Sequence, residues 1–307
     1  MSGFAVTIPP AFSATVDGRP AEGGGPDGTS WLATLPRLVE ESAELWQLEL
    51  DADPSATRHG ECALVVPCRR DGEPAVLKVT WPHPEARYEH LALRNWDGRG
   101  AVRLLAADPG RWAMVLERLH GDTSLETAPI LDACEVIGGL FRRLDAPPMA
   151  RVTNLPDECV RWQELCRAGS PRVPRRMTQQ AASLLGDLAQ GSRADLVHQD
   201  LHFANVLAAD REPWLAIDPK PINAQWEFAV APVLWNRWDE ALRATSVRSH
   251  LRTRLSVLCE AAGLDEDLAR HWSFVRLVLN ALGEWLSGAP DQSALSCYLT
   301  AAKAMQE

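Results

Sequence analysis

Along residues 31–48 the apolar positions Leu32, Leu35, Leu38, Val39, Leu45 and Trp46 return at steps of three and four, which predicts an opening helix with one buried stripe. The pattern then changes. Residues 62–68 and 75–79 are short apolar runs on either side of Arg70-Asp71-Gly72, and β runs flanking Asp-Gly predict a hairpin. Pro84, tolerated in a first helical turn, opens a helix carried by Tyr88, Leu91, Ala92 and Trp96 and closed at Gly98. Residues 102–107 and 112–119 predict two more strands around Asp108-Pro109-Gly110. The stretch from 31 to about 119 therefore reads as a mostly antiparallel sheet with one internal helix.

Past His120-Gly121-Asp122 the period switches, and Ile130, Leu131, Cys134, Ile137, Phe141 and Leu144 form a helical stripe that stops at Pro147-Pro148. Helical patterns cover 157–168, 174–190, 229–243, 246–262, 265–287 and 291–305, interrupted by a β-like island over 196–217. A β-rich first part and a helical second part predict a bilobal α+β protein, with lobes at 29–119 and 120–307. Residues 1–28, with Pro9-Pro10 and a Gly-rich run up to Gly28, read as a flexible arm.

Composition narrows the function classes. The chain is 46% hydrophobic and 23% charged, the balance of a globular protein, and its 12 Trp residues read first as core fillers. A net charge of −10 argues against a nucleic-acid partner, because a phosphate-backbone binder needs a positive field; it suits a cationic small molecule better. The 7 Cys residues show neither C-x-x-C nor zinc spacing and read as reduced thiols. No basic region followed by an apolar run opens the chain, and no stretch of about 18 apolar residues occurs, so the expectation is a cytoplasmic protein without a membrane segment. Monomer and dimer both stay open.

The chemistry concentrates in the island. His198-Gln-Asp200-Leu-His202-Phe-Ala-Asn205 is followed by Ile217-Asp218-Pro219. Phosphoryl transfer asks for a carboxylate near the attacking hydroxyl and for oxygen ligands that hold Mg²⁺ on the phosphates of ATP. Asp200 supplies the first, and Asn205 and Asp218 supply the second, in the loop logic H-x-D-x-x-x-x-N of protein kinases with Ile-Asp-Pro in place of Asp-Phe-Gly. His198 reads as a loop-holding residue. A rival reading is a metal site made by His198, Asp200 and His202 alone, which would suit a hydrolase and leave Asn205 and Asp218 idle.

Upstream, Lys78 lies in a strand and Glu89 falls eleven positions later inside the predicted helix, the arrangement needed to hold a cation on the α- and β-phosphates; Glu85 is the alternative partner. Only His59-Gly60-Glu61-Cys62 stands where a phosphate-covering loop is expected, without G-x-G-x-x-G. The run from Met114 through Glu117 to Leu119 offers backbone groups for adenine. The thin glycine loop keeps a non-catalytic nucleotide- or ligand-binding module open as an alternative.

These residues resemble the aminoglycoside phosphotransferases, in the streptomycin 6-kinase and hydroxyurea kinase branch. The likeness is carried by Gly60-Glu61, Leu77-Lys78, Leu93-Arg94 with Trp96, Gly100-Ala-Val102-Arg103-Leu104-Leu105, Leu116-Glu117-Arg118-Leu119, His198-Gln-Asp200-Leu-His202, Asn205-Val-Leu and Ile217-Asp218-Pro-Lys-Pro221. It implies a protein-kinase-like bilobal fold and ATP with Mg²⁺. It also implies Asp200 as catalytic carboxylate, Asn205 and Asp218 as metal ligands, and Lys78 on the phosphates. The acceptor it implies is an aminoglycoside-type antibiotic such as streptomycin, with hydroxyurea or a metabolite alcohol as alternatives. Where relatives tend to read Gly-Asp-Pro-x-Phe-Asp, this chain reads Ala224-Gln225-Trp226-Glu227-Phe228-Ala229, so Gln225 and Ala229 replace acidic residues. Glu227, Asp239 and Glu240 are the remaining candidates for the acceptor side.

Overall fold

The computed structural model describes residues 6–306 apart from 23, 52, 190–193 and 288–289. It separates into two compact units, Met1–Leu119 and His120–Glu307.

The first unit runs α1 (Pro10–Val16), α2 (Gly28–Leu45), β1 (Glu49–Leu50), β2 (Arg58–His59), β3 (Ala63–Arg70), β4 (Glu73–Thr80), α3 (Glu89–Trp96), β5 (Leu104–Asp108) and β6 (Ala113–Glu117). The strands form one antiparallel sheet in the order β1-β3-β4-β6-β5, with β2 also on β3. The hairpin between β3 and β4 turns on Asp71 (φ 52°) and Gly72 (φ 80°), the left-handed pair that matches the twist of the flanking strands. Helix α2 starts at an Asp27 cap whose carboxylate accepts from the Ser30 N–H at 2.8 Å, and it buries Trp31, Leu35 and Val39, four apart, against Leu64, Leu77, Val79 and Val115.

The arm expected over residues 1–28 is different where the structure describes it. Residues 10–16 are a helix whose Phe12 and Val16 are fully buried, with Phe12 edge-on to Trp31 at 6.0 Å. Thr29 donates to the Asp17 carboxylate at 2.6 Å, and a Cβ at Gly28 would lie 1.9 Å from the Val16 carbonyl, so only glycine lets the two segments meet. Two apolar positions in a short helix are too few for a period to show. Residues 1–5 and Gly23, also within that expected arm, lie outside the described residues.

The second unit runs β7 (His120–Ser124), α4 (Ile130–Arg143), α5 (Leu155–Ala168), α6 (Arg175–Leu188), β8 (Asp195–His198), β9 (Val206–Ala208), β10 (Trp214–Ala216), β11 (Pro221–Ala224), α7 (Pro232–Trp235), α8 (Trp238–Arg243), α9 (Val247–Ala262), α10 (Glu266–Leu286) and α11 (Gln292–Met305). Its strands make two small sheets, β10-β9-β7 and β11-β8. The hydrophilic β7 carries no apolar alternation that would announce it. The single helix expected over 229–243 is instead a 3-10 turn followed by α7 and α8, broken at Arg237 (φ 52°). The buried Arg254 guanidinium on α9 donates to the carbonyls of Val233 (3.1 Å), Asn236 (2.8 Å) and Arg237 (3.1 Å), which satisfies the groups that the break frees. None of the seven cysteines is joined in a disulfide. Among the described residues no helix is long and apolar enough to cross a membrane.

Candidate active site

In the second unit, β8 and β11 pair so that His198 faces Pro221, and the loop after β8 returns through a 3-10 turn at Phe203–Asn205 into β9. His198 is fully buried. Its Nε2 lies 3.0 Å from the Ile217 carbonyl and its Nδ1 accepts from the Asp200 N–H at 3.2 Å, so a neutral ring protonated at Nε2 ties the loop to the strand that leads into Asp218. Burial pushes its pKa down to about 4, and the Ile217 carbonyl and the carboxylates of Asp200 and Asp218 only partly oppose this.

Asn205 closes the loop from the other end: its Nδ2 donates to the Asp200 carbonyl at 2.9 Å and its backbone carbonyl accepts from the Ile217 N–H at 2.9 Å. The backbone of Asp200 is thus held on both sides, and the Asn205 Oδ1 is the remaining oxygen of that amide. Asp218 sits at φ 52° directly before Pro219, a left-handed conformation on an L-residue with a proline behind it, and such strain collects at working sites. Arg276 of α10 donates to the carbonyls of Gln199 (2.8 Å) and Phe228 (3.2 Å), with its guanidinium 4.6 Å from the Phe228 ring centroid.

The Asp200 carboxylate meets a partner that the spacing argument did not single out. Lys220 Nζ lies 2.7 Å from its Oδ2. Burial raises the Asp200 pKa, but the Lys220 ammonium and, less strongly, the His202 and His198 rings outweigh it, so the carboxyl stays below its ordinary range. The signal that could have exposed Lys220 is its place between Pro219 and Pro221, which fixes the backbone around it. His202 receives the Ala204 N–H at Nδ1 (3.3 Å) and has the Asn205 Nδ2 3.2 Å from Nε2, and burial holds it below its usual value. The His198 nitrogens are likewise engaged. Among the described residues no group of three or more His, Cys, Asp or Glu is arranged to hold a metal, so the metal-only reading of His198, Asp200 and His202 finds no support.

In the first unit Lys78 and Glu89 meet at 2.6 Å with 6% and 2% of their side chains exposed. Glu85 is exposed in a 3-10 turn before α3, so the helix itself supplies the partner. The Glu117 side chain accepts from the Arg103 N–H at 2.6 Å, its own N–H donates to the Arg103 carbonyl at 3.0 Å, and Leu119 lies beyond the last ladder pair. Of the three carboxylates expected on the acceptor side, two have partners within the second unit. Glu227 accepts from the Asp265 N–H (3.4 Å) at the start of α10, Glu240 pairs with Arg237 at 2.5 Å, and Asp239 is exposed on α8. Arg237 in turn donates to the carbonyls of Leu125 (3.0 Å) and Ala128 (2.8 Å) and lies 5.2 Å from the Phe203 ring centroid, which links Glu240 to the loop after β8.

The family model described as aminoglycoside/hydroxyurea antibiotic resistance kinase matches residues 45–287, a span that includes all of these groups. The chain belongs to that family. It is 38% identical over 291 residues to streptomycin 6-kinase of Streptomyces glaucescens, covering 92% of each protein. It is also 38% identical over 277 residues to hydroxyurea phosphotransferase of Kitasatospora aureofaciens, covering 85% of this chain and 76% of the relative. Among solved structures, a choline/ethanolamine kinase family protein from Mesorhizobium loti superposes with a TM-score of 0.61 at 14% identity, over 88% of this chain and 95% of that one. The antibiotic resistance kinase family thus shares the protein-kinase-like fold, with the β-rich unit first and the mainly helical unit second.

Proposed function

We propose that this protein transfers the γ-phosphoryl group of ATP to a hydroxyl of an aminoglycoside-type acceptor, with streptomycin as the first candidate. The observation that carries the reading is the tied loop in which Asp200, Asn205 and the strand into Asp218 are held by His198 and by the backbone bond from Ile217. The acceptor oxygen bonds to the γ-phosphorus as the bond to the β,γ-bridging oxygen breaks. The electron pair of that broken bond leaves with ADP, and Asp200 orients the hydroxyl and takes up its proton.

The oxygen donors fit Mg²⁺. With its amide nitrogen committed to Asp200, Asn205 presents Oδ1, and Asp218 presents a carboxylate; hard oxygen ligands completed by phosphates and water are the usual magnesium set. Held by Asn205 and Asp218, such an ion would supply positive charge to the phosphates. Lys78, steadied by Glu89, binds the α- and β-phosphates, and the backbone between Glu117 and Leu119 binds adenine.

A second acceptor class has its own support. Glu227 and Glu240 are engaged within the protein, Gln225 and Ala229 are uncharged, and the hydroxyurea relative is also 38% identical, over a smaller share of each chain than the streptomycin one, so hydroxyurea or a small alcohol is the alternative. An acceptor panel that includes streptomycin and hydroxyurea, read by ADP release, tests the reading: acceptor-dependent release with streptomycin supports it, and release with hydroxyurea alone moves the substrate. A thermal shift with ATP and no release on any acceptor leaves a binding module.

A further inference from the structure

Lys220 is engaged both at its backbone carbonyl and at its ammonium. Its register follows from β11: because Pro221 faces His198, Lys220 stands opposite Gln199, and the Gln199 N–H donates to the Lys220 carbonyl at 3.1 Å. Proline on each side narrows the backbone choices of the tripeptide, since Pro219 and Pro221 have fixed φ and a residue before proline is driven to the extended region. The side chain is then aimed along the loop at Asp200, with Nζ 2.7 Å from Oδ2, and 28% of Lys220 and 19% of Asp200 remain exposed. The bonds from His198 and Asn205 go to the backbone of Asp200, whereas the ion pair from Lys220 goes to its carboxylate and so constrains the side chain itself.

We infer that Lys220 is a positioning residue for phosphoryl transfer: it holds Oδ2 of Asp200 and so directs Oδ1 at the acceptor hydroxyl. The inference rests on the kinase reading above. It assigns the lysine a task distinct from that of Lys78, which faces Glu89 in the other unit. It also accounts for a cation beside a carboxylate whose work is orientation, because an ammonium that fixes one oxygen leaves the other directed and still negatively charged in a site that must admit a triphosphate.

The test is steady-state kinetics on Lys220→Met, Lys220→Arg, Asp200→Asn and the Lys220→Met/Asp200→Asn double variant, with whichever acceptor the panel identifies. Lys220→Met is expected to lower kcat by about 10²–10³-fold, the scale of one preorganised electrostatic contact, with both KM values little changed. Lys220→Arg should recover most of the loss, and the double variant should be no worse than Asp200→Asn, since groups that act as one unit are not additive. A kcat near wild type, a loss confined to the KM for ATP, or a double variant whose losses multiply would overturn the inference. If Lys220→Met does not fold, Lys220→Gln carries the same comparison. A cross-peak from the Lys220 ammonium in nitrogen-detected NMR, lost in Asp200→Asn, reads the pair without any acceptor. If the wild type turns over nothing, the kinase reading fails while this signal still stands; an absent signal in folded wild type removes the pair itself.

Discussion

Replacing Glu89 with Gln keeps the side chain's shape but leaves the Lys78 ammonium, 5% exposed on β4 between Leu77 and Val79, opposite a neutral amide. A buried pair is a poor source of net stability, because desolvating both charges offsets most of their attraction. Breaking it is different: the remaining charge stays desolvated without its counter-ion, at about 3–5 kcal/mol. Urea unfolding of Glu89→Gln should therefore show a midpoint lowered by about 1 M or more, given an m-value of about 1–3 kcal/mol/M. The control Glu85→Gln, at an exposed position, should stay within about 1 kcal/mol of wild type. Lys78→Met/Glu89→Leu, which removes both charges, should regain most of the stability that Glu89→Gln loses and should still fail to turn over ATP. That split between stability and activity is the signature of a pair kept for its chemistry. A Glu89→Gln loss below about 1 kcal/mol, or a double variant as unstable as the single, would refute the reasoning.

Three further outcomes follow from the same geometry. Asp218→Asn should weaken Mg²⁺-dependent nucleotide binding by about tenfold or more, the scale lost even when a partner behind a metal ligand is removed; calorimetric titration with unchanged affinity would take Asp218 out of metal ligation. Folded His198 resists protonation until about pH 4, whereas the unfolded residue takes its proton near 6.5, so the unfolded state binds more protons in between and stability falls as pH drops through that window. The loss should total about 3 kcal/mol by chemical unfolding at a series of pH values, and His198→Asn should lack that part of it. Gly138→Ala would place a Cβ 2.6 Å from the Leu258 carbonyl where α4 meets α9, and calorimetry should show a destabilisation of about 1–3 kcal/mol.

What could be read from residues alone followed the length and regularity of each signal. The β3–β4 hairpin was legible because Asp71-Gly72 names its own turn, and α4, α9, α10 and α11 because each repeats an apolar stripe over several turns. Helix α1 was hidden by its proline- and glycine-rich surroundings. The break at Arg237 was hidden because Arg254, seventeen residues on, supplies the donors that make it tolerable. The island from His198 to Asp218 stood out because of its order of imidazole, carboxylate and amide, and the fold ties its two ends together through His198 and Asn205. Lys220 lay inside a motif already quoted, yet its target depends on the β8–β11 register, which no local pattern encodes. Glu227 and Glu240 carry information of another kind: as charges on a sequence they suited a cationic acceptor, and the fold adds that Glu227 accepts from the Asp265 N–H and Glu240 pairs with Arg237.

The most direct test of the account follows the label from γ-labelled ATP into acceptor with wild type and with Asp200→Ala under single-turnover conditions. The account predicts acceptor-dependent transfer by the wild type, and a rate lowered by about 10²–10⁴-fold in the variant while ATP binding is retained. Transfer at an undiminished rate by Asp200→Ala, or label released only to water by the wild type with every acceptor, would contradict it.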